Sequence, residues 1–232
     1  MAKPLPIDSS YEKFYADRAG TRVYPTEFVV RTFLASYPGL TFRKPIVGDR
    51  VLDVAFGDGR NTVFLCDQGY SVSGIEITNG IVQQTSSRLE QLGYQADLRV
   101  GRNSSIPFKD AYFDYILACH CFYYCDEGEI FADNVKEYCR VMKPGAWCIA
   151  SIANRNSYIF KDSLTLNDGS LCIQADPYDN RNGYRLQAFS TKEQIEEYLS
   201  PWFESFSFGS ADNDYFGVDE KVFWIVCKKK EF

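Results

Sequence analysis

The chain has little histidine, one residue in 232, and only two methionines. No apolar run approaches the roughly 18 residues of a membrane-spanning helix. Met1-Ala2-Lys3-Pro4-Leu5-Pro6 lacks the apolar stretch of a signal peptide, so a cytoplasmic location with no membrane partner is expected. A C-x-x-C pair is also missing, although there are eight cysteines. Cys119, Cys121 and Cys125 lie around the lone His120, but on a strand that side chain points away from both neighbouring cysteines, and no metal is expected. Cys66, Cys119, Cys148 and Cys227 sit in apolar segments, as buried free thiols do. Concentrated positive charge is lacking as well. The formal net charge is -6, and Lys228-Lys229-Lys230 reads as a solvated strand end, which argues against a nucleic-acid partner.

What is present is the composition of a folded globule, 45% hydrophobic and 16% aromatic, long enough for one domain with a cap. Ser9 and Glu12 form an S-x-x-E capping box, which predicts a short helix starting there. A second helix is expected from Thr26 through Phe28, Val29, Phe33 and Leu34, stopping before Pro38-Gly39. From Val51 strand and helix alternate: strands at 51–55, 71–76, 96–100, 113–119 and 147–152, with helices after Gly59, after Thr78 and over 129–141. That alternation predicts a parallel sheet with helices on both faces. The rhythm breaks after position 152. Residues 154–185 are rich in Asn, Asp, Gly, Ser and Tyr, with turn signals at Asp168-Gly169 and Asn182-Gly183, and an insertion of this length is more often a binding element than filler. A helix over 191–199 and strands over 202–208 and 221–228 close the chain, the last two pairing antiparallel.

The expected fold is therefore α/β, a Rossmann-like doubly wound sheet of about seven strands, mostly parallel with an antiparallel C-terminal hairpin. Residues 1–45 form an N-terminal helical lid, 48–152 a cofactor-binding core, 153–190 a substrate cap, and 191–232 the closing helix and strand pair.

The most informative stretch is Val51-Leu52-Asp53-Val54-Ala55-Phe56-Gly57-Asp58-Gly59-Arg60, followed by Glu76 at the end of the next apolar run. A buried strand, a tight glycine turn at a helix N-terminus and an acid placed for two sugar hydroxyls outline a nucleoside site. A dinucleotide fingerprint needs a third small residue after Gly57 and Gly59, but that position holds β-branched Thr62. The stretch instead resembles motif I of the class I S-adenosylmethionine-dependent methyltransferases. One of the usual glycines is Ala55, so the backbone there is expected at negative φ.

The resemblance spans positions 48 to 152 and implies S-adenosylmethionine as cofactor. It implies Asp53 beneath the loop near the cofactor's amino group, with loop organisation as the alternative. Ala55, Gly57 and Gly59 would present backbone to the methionine part, and Glu76 would accept the ribose hydroxyls with Ile77 beside it. Gly101-Arg102-Asn103-Ser104-Ser105-Ile106-Pro107-Phe108 is similar to the adenine segment, with Arg102 replacing the usual acid and Asn103 and Ser104 as the remaining contacts. Residues 113–124 match the strand that ends beside the transferable methyl, which places Cys119 against the cofactor and His120 as general base or pocket-lining ring. Tyr11, Tyr15, Tyr24, Tyr123, Tyr124, Arg155 and Arg181 are the expected acceptor contacts, through ring stacking and binding of anionic groups. The implied activity is methyl transfer to oxygen, ahead of nitrogen, on a small polar or sugar-like acceptor. A nicotinamide-dependent oxidoreductase and a non-catalytic S-adenosylmethionine-binding protein are the alternatives.

Overall fold

The computed structural model describes residues 6–18 and 20–231. Five strands run parallel: β1 (Arg50–Val54), β2 (Ser71–Glu76), β3 (Asp97–Val100), β4 (Phe113–Cys119) and β6 (Met142–Ala153). β10 (Phe203–Asp214) and β11 (Asp219–Lys229) then pair antiparallel, and β11 lies antiparallel to β6, giving the order β10-β11-β6-β4-β1-β2-β3. The expected doubly wound sheet with a closing hairpin is thus observed. β10 and β11 run longer than their apolar stretches, because polar residues such as Asn213 and Glu220 continue the pairing to Asp214 opposite Asp219.

Alternation along each strand assigns the two faces. Val51, Tyr115, Leu117 and Val226 pack with Phe28, Val29 and Phe33 of α2 (Glu27–Leu34) and with Phe64 and Leu65 of α3 (Arg60–Asp67). Leu52, Val54, Ile116 and Ala118 face the opposite core, with Val135 and Tyr138 of α5 (Phe131–Val141) and Ile195 and Leu199 of α6 (Lys192–Leu199). Helix α4 (Asn79–Gln91) sits between β2 and β3, and the Thr78 hydroxyl caps it by accepting from the Ile81 N–H.

Helix α1 (Pro6–Ala16) begins before Ser9, so Ser9 and Glu12 lie inside it and the expected capping box is not its start. The chain enters α5 at Phe131, two residues later than expected, where the Asp133 carboxylate accepts from the Ile130 N–H at 3.0 Å. The insertion forms β7 (Leu164–Thr165), β8 (Leu171–Cys172) and β9 (Arg185–Leu186). These join β5 (Tyr124–Cys125) in a small four-stranded sheet ordered β5-β9-β8-β7. Asp168-Gly169 makes the β7–β8 hairpin turn, with Gly169 at φ 82°.

Ala55 departs from expectation. Its φ is 54°, in the left-handed region, because the chain must turn sharply off β1 so that the N–H groups of Ala55 and Phe56 both reach the Ile75 carbonyl. A side chain there costs about 1–2 kcal/mol, and glycine's extra backbone entropy returns about 0.5–1 kcal/mol of that. Ala55→Gly is therefore expected to stabilise the fold by about 0.5–1 kcal/mol in urea denaturation. A loss of stability would contradict the strained turn.

Candidate functional site

β1 ends under the turn at 55–59, where Gly57 and Gly59 take φ of 56° and 78°. Two buried carboxylates organise it. Asp53, 1% exposed, accepts from the Thr62 hydroxyl at 2.7 Å. The β-branched residue that spoils a dinucleotide fingerprint thus ties β1 to α3. Glu76, 5% exposed, accepts from the Gly57 N–H at 3.1 Å and from the Ile77 N–H at 2.7 Å, clasping the turn to the end of β2. Burial lifts both acids to about 7, and the hydrogen bonds they accept hold them down against it.

A cavity of about 200 Å³ opens at the carboxyl ends of β1, β2 and β4. Ala55, Glu76, Ile77, Asn103 and Cys119 line it, as do Gly101 and Arg102, which were not expected there. Asp53 is absent from the lining and bonds Thr62 instead, while Gly57 lies beneath Tyr15: a Cβ on Gly57 would collide with the Tyr15 hydroxyl. Gly59 has Thr85 against it, and Ser104 is outside the lining.

Asn103 spends its side chain on structure. Its amide donates to the carbonyls of Cys121 at 2.8 Å and Tyr124 at 3.1 Å, and its oxygen accepts from the Tyr138 hydroxyl at 2.7 Å. Its side chain is therefore not free for a base, which leaves the main chain of this segment facing the cavity. Arg102 bridges Asp126 at 2.7 Å and also pairs with buried Asp8, which joins β3's loop to α1.

Over this cavity α1 meets the insertion. The Tyr11 and Tyr124 hydroxyls are 3.1 Å apart, and the Tyr184 ring lies edge-on to both of their rings. Arg181 is held by Asp176, with a contact at 3.0 Å, and donates to the Tyr158 hydroxyl at 2.9 Å.

A second cavity of about 620 Å³ lies on the other side of β4's end, between α2 and the β10–β11 hairpin. None of the seven expected acceptor contacts lines it. Tyr11, Tyr15, Tyr124 and Arg181 line the smaller cavity; Tyr24 is exposed, Tyr123 is buried in the core, and Arg155 turns towards the Phe160 carbonyl. Its walls are Phe28, Thr32, Tyr37 and Leu40 on one side and Val222, Trp224 and Val226 on the other. The spacing Glu220-Val222-Trp224-Val226 is the signal that marks this wall: a strand face of period two that carries an acid at one end.

His120 is the one described residue that lines both cavities. β4 stops at Cys119, and His120 follows in the left-handed region at φ 57°, its N–H donated to the Ser151 hydroxyl at 2.9 Å. The strand alternation assumed for it therefore does not apply. Its imidazole has no hydrogen-bond partner among the described residues, and burial with the nearby Arg181 cation lowers its pKa to about 4.

Residues 51–145 match the family model described as "Methyltransferase domain". A ubiquinone biosynthesis O-methyltransferase of Maricaulis maris is 25% identical over 132 residues, 56% of this chain and 51% of that protein. The chain spans 34% to 51% of the length of the curated relatives it matches. Among solved structures, a SAM-dependent methyltransferase of Methanosarcina mazei superposes with a TM-score of 0.67 at 23% identity, covering 86% of this chain and 100% of that one. The [4+2]-cyclase SpnF superposes with a TM-score of 0.66 at 14% identity, covering 97% of this chain and 93% of that one.

The residues present fit an S-adenosyl group. The turn presents Ala55 to the cavity at the end of β1, and the Glu76 carboxylate, which also lines it, has lone pairs left after its two main-chain bonds. Hydroxyls donating to Glu76 favour its ionised form. Affinity for S-adenosylhomocysteine is therefore expected to rise with pH through about 7 and to level off above it. Glu76→Ala is expected to cost about 1.5–3 kcal/mol and to flatten that profile in calorimetry. Equal affinity for both proteins would remove Glu76 from the site.

Proposed function

We propose that this chain, which carries a class I S-adenosylmethionine-dependent methyltransferase domain, transfers a methyl group to a small acceptor held in the larger cavity. The observation that carries the reading is the position of His120, shared between a cavity whose lining residues suit the cofactor and a separate one able to hold an acceptor. When bound, S-adenosylmethionine supplies an electrophilic methyl, open to in-line displacement. The protein's share of the work is alignment and exclusion of water.

Tyr11, Tyr15 and Tyr184 line the smaller cavity from α1 and the insertion. At about 200 Å³ it falls below the ~300 to 1,000 Å³ of drug-sized ligand sites, and the Tyr15 ring over Gly57 takes up the room. α1 therefore shifts outward for the cofactor to enter. The walls of the larger cavity carry more rings and aliphatic side chains than sugar-like acceptors call for, which favours an apolar, ring-bearing acceptor.

Oxygen is kept ahead of nitrogen as the methylated atom. His120 presents a neutral imidazole at physiological pH, and one relative is named an O-methyltransferase. An imidazole whose conjugate acid has a pKa of about 4 is a weak base, so the catalytic gain belongs near the low end of the usual range, about 10²-fold. With an oxygen acceptor the single-turnover rate is expected to climb through about pH 4 and stay flat from pH 5.5 to 8. His120→Gln should lower it by about 10²-fold with cofactor affinity retained. A rate that instead climbs through the acceptor's own pKa, with the Gln variant near wild type, identifies nitrogen as the atom methylated. Binding of the cofactor without methyl transfer is the second reading, favoured by the weak basicity of the buried His120 imidazole. Radiolabel from the methyl group appearing in product excludes it.

A further inference from the structure

The β10–β11 wall of the larger cavity has a graded chemistry. Cross-strand pairs set small residues opposite large ones: Ser207 with Val226, Gly209 with Trp224, Ala211 with Val222 and Asn213 with Glu220. A Cβ on Gly209 would meet Trp224 Cε3 at 3.1 Å, so the absent side chain is what lets the indole lie down on β10. The small residues leave the volume open, and the indole gives it a flat apolar floor, flanked by Phe28 at 5.5 Å between ring centroids.

Three charged residues line the cavity. Glu27 and Arg31 neutralise one another at 2.6 Å, and Arg31 also donates to the Tyr37 hydroxyl at 2.8 Å. Glu220 is left. It is half-buried and has neither a hydrogen bond nor an ion pair among the described residues, while its neighbour Lys221 pairs with Asp212 and Asp219. The cation that acts on it at range, Arg181, is held by Asp176. The cavity therefore carries one uncompensated negative charge.

The strand register orients these parts. Trp224 and Cys119 both pair with Ser151, which places the indole level with the end of β4, beside His120. Glu220 lies four residues further along the same face, roughly 13 Å of strand beyond the indole. We propose that the larger cavity takes an elongated cationic arene: an aromatic ring over Trp224, its reacting substituent towards His120, and an ammonium group at the far end paired with Glu220. This deepens the methyltransferase reading and rests on it for the direction in which the ring points. The ammonium is an anchor, distinct from the atom that receives the methyl.

Three probes of one shape, with tails long enough to span from the indole to Glu220, test this: 4-(5-aminopentyl)phenol, with a cationic tail; 4-(5-hydroxypentyl)phenol, neutral; and 6-(4-hydroxyphenyl)hexanoate, anionic. Their binding is read by tryptophan fluorescence, with Trp224→Phe identifying the responding indole. The aminopentyl probe is expected to bind about tenfold more tightly than the neutral probe and more tightly still than the anion, as for a partly desolvated charge pair. Glu220→Gln should bring the three within about twofold of one another, and Glu220→Lys should favour the anion. The proposal is overturned by equal binding in the wild type, by a cation preference that survives Glu220→Gln, or by no saturable response to any probe. S-adenosylhomocysteine affinity, measured by calorimetry on the same proteins, should not change with Glu220. Loss of that affinity in wild type would count against the cofactor reading alone, while the order of the three probes still judges the cavity.

Discussion

The Glu76 carboxylate, buried at the end of β2 and bonded to the N–H groups of Gly57 and Ile77, is the contact on which the site depends. Removing a carboxylate from water is costly unless hydrogen bonds compensate, and here the two donors come from the segments that must be brought together. One end of the clasp holds the glycine turn against the sheet; the other fixes the start of the loop into α4. Asp53 and Thr62 repeat the device one strand away, tying β1 to α3. With both in place the turn keeps its left-handed backbone at Ala55, Gly57 and Gly59, and the mouth of the smaller cavity keeps its shape.

Around that turn the two faces of the sheet have different tasks. The face covered by α5, α6 and the insertion is a packed core of aromatic and aliphatic side chains, and its polar linkers are spent on structure, as Asn103 and Asn134 show by bonding carbonyls around Tyr124. The face under α2 is packed at β1 and β4 but opens at the hairpin, where Ser207, Gly209 and Ala211 bring too little volume to fill the space. His120 stands where the packed part ends. Its left-handed backbone lifts it off the line of β4 and lets one imidazole face both cavities. The same burial makes it a weak base.

Arg102 shows how a departure from a familiar pattern is compensated. Where the resemblance leads one to expect an acid, a cation reaches Asp126 and the buried Asp8 of α1. Asp8 is buried in the first turn of α1, where it also accepts from the Tyr184 hydroxyl at 3.5 Å, and losing its cationic partner would leave a buried charge unpaired, at a cost of several kcal/mol. The substitution on the loop and the acid on the helix are two halves of one contact.

The succession of strands and helices, the parallel core and the glycine turn were legible in the chain because they follow from local regularities: apolar runs of strand length and glycines before a helix. So was the hairpin at Asp168-Gly169, where glycine supplies the positive φ that the turn requires. The sign of φ at Ala55 was not legible, since only the demand of the Ile75 carbonyl on two successive N–H groups sets it. Nor was the wall of the larger cavity, because Glu220 and Trp224 gain their meaning from residues across the strand pair and from α2, distant in sequence. The rings and arginines singled out near the N-terminus and in the insertion have the chemistry of binding residues, but packing decides which opening each one faces. Periodicity along one chain reports what a segment buries. Where two segments leave a gap between them is a property of their docking, and that only the tertiary structure decides.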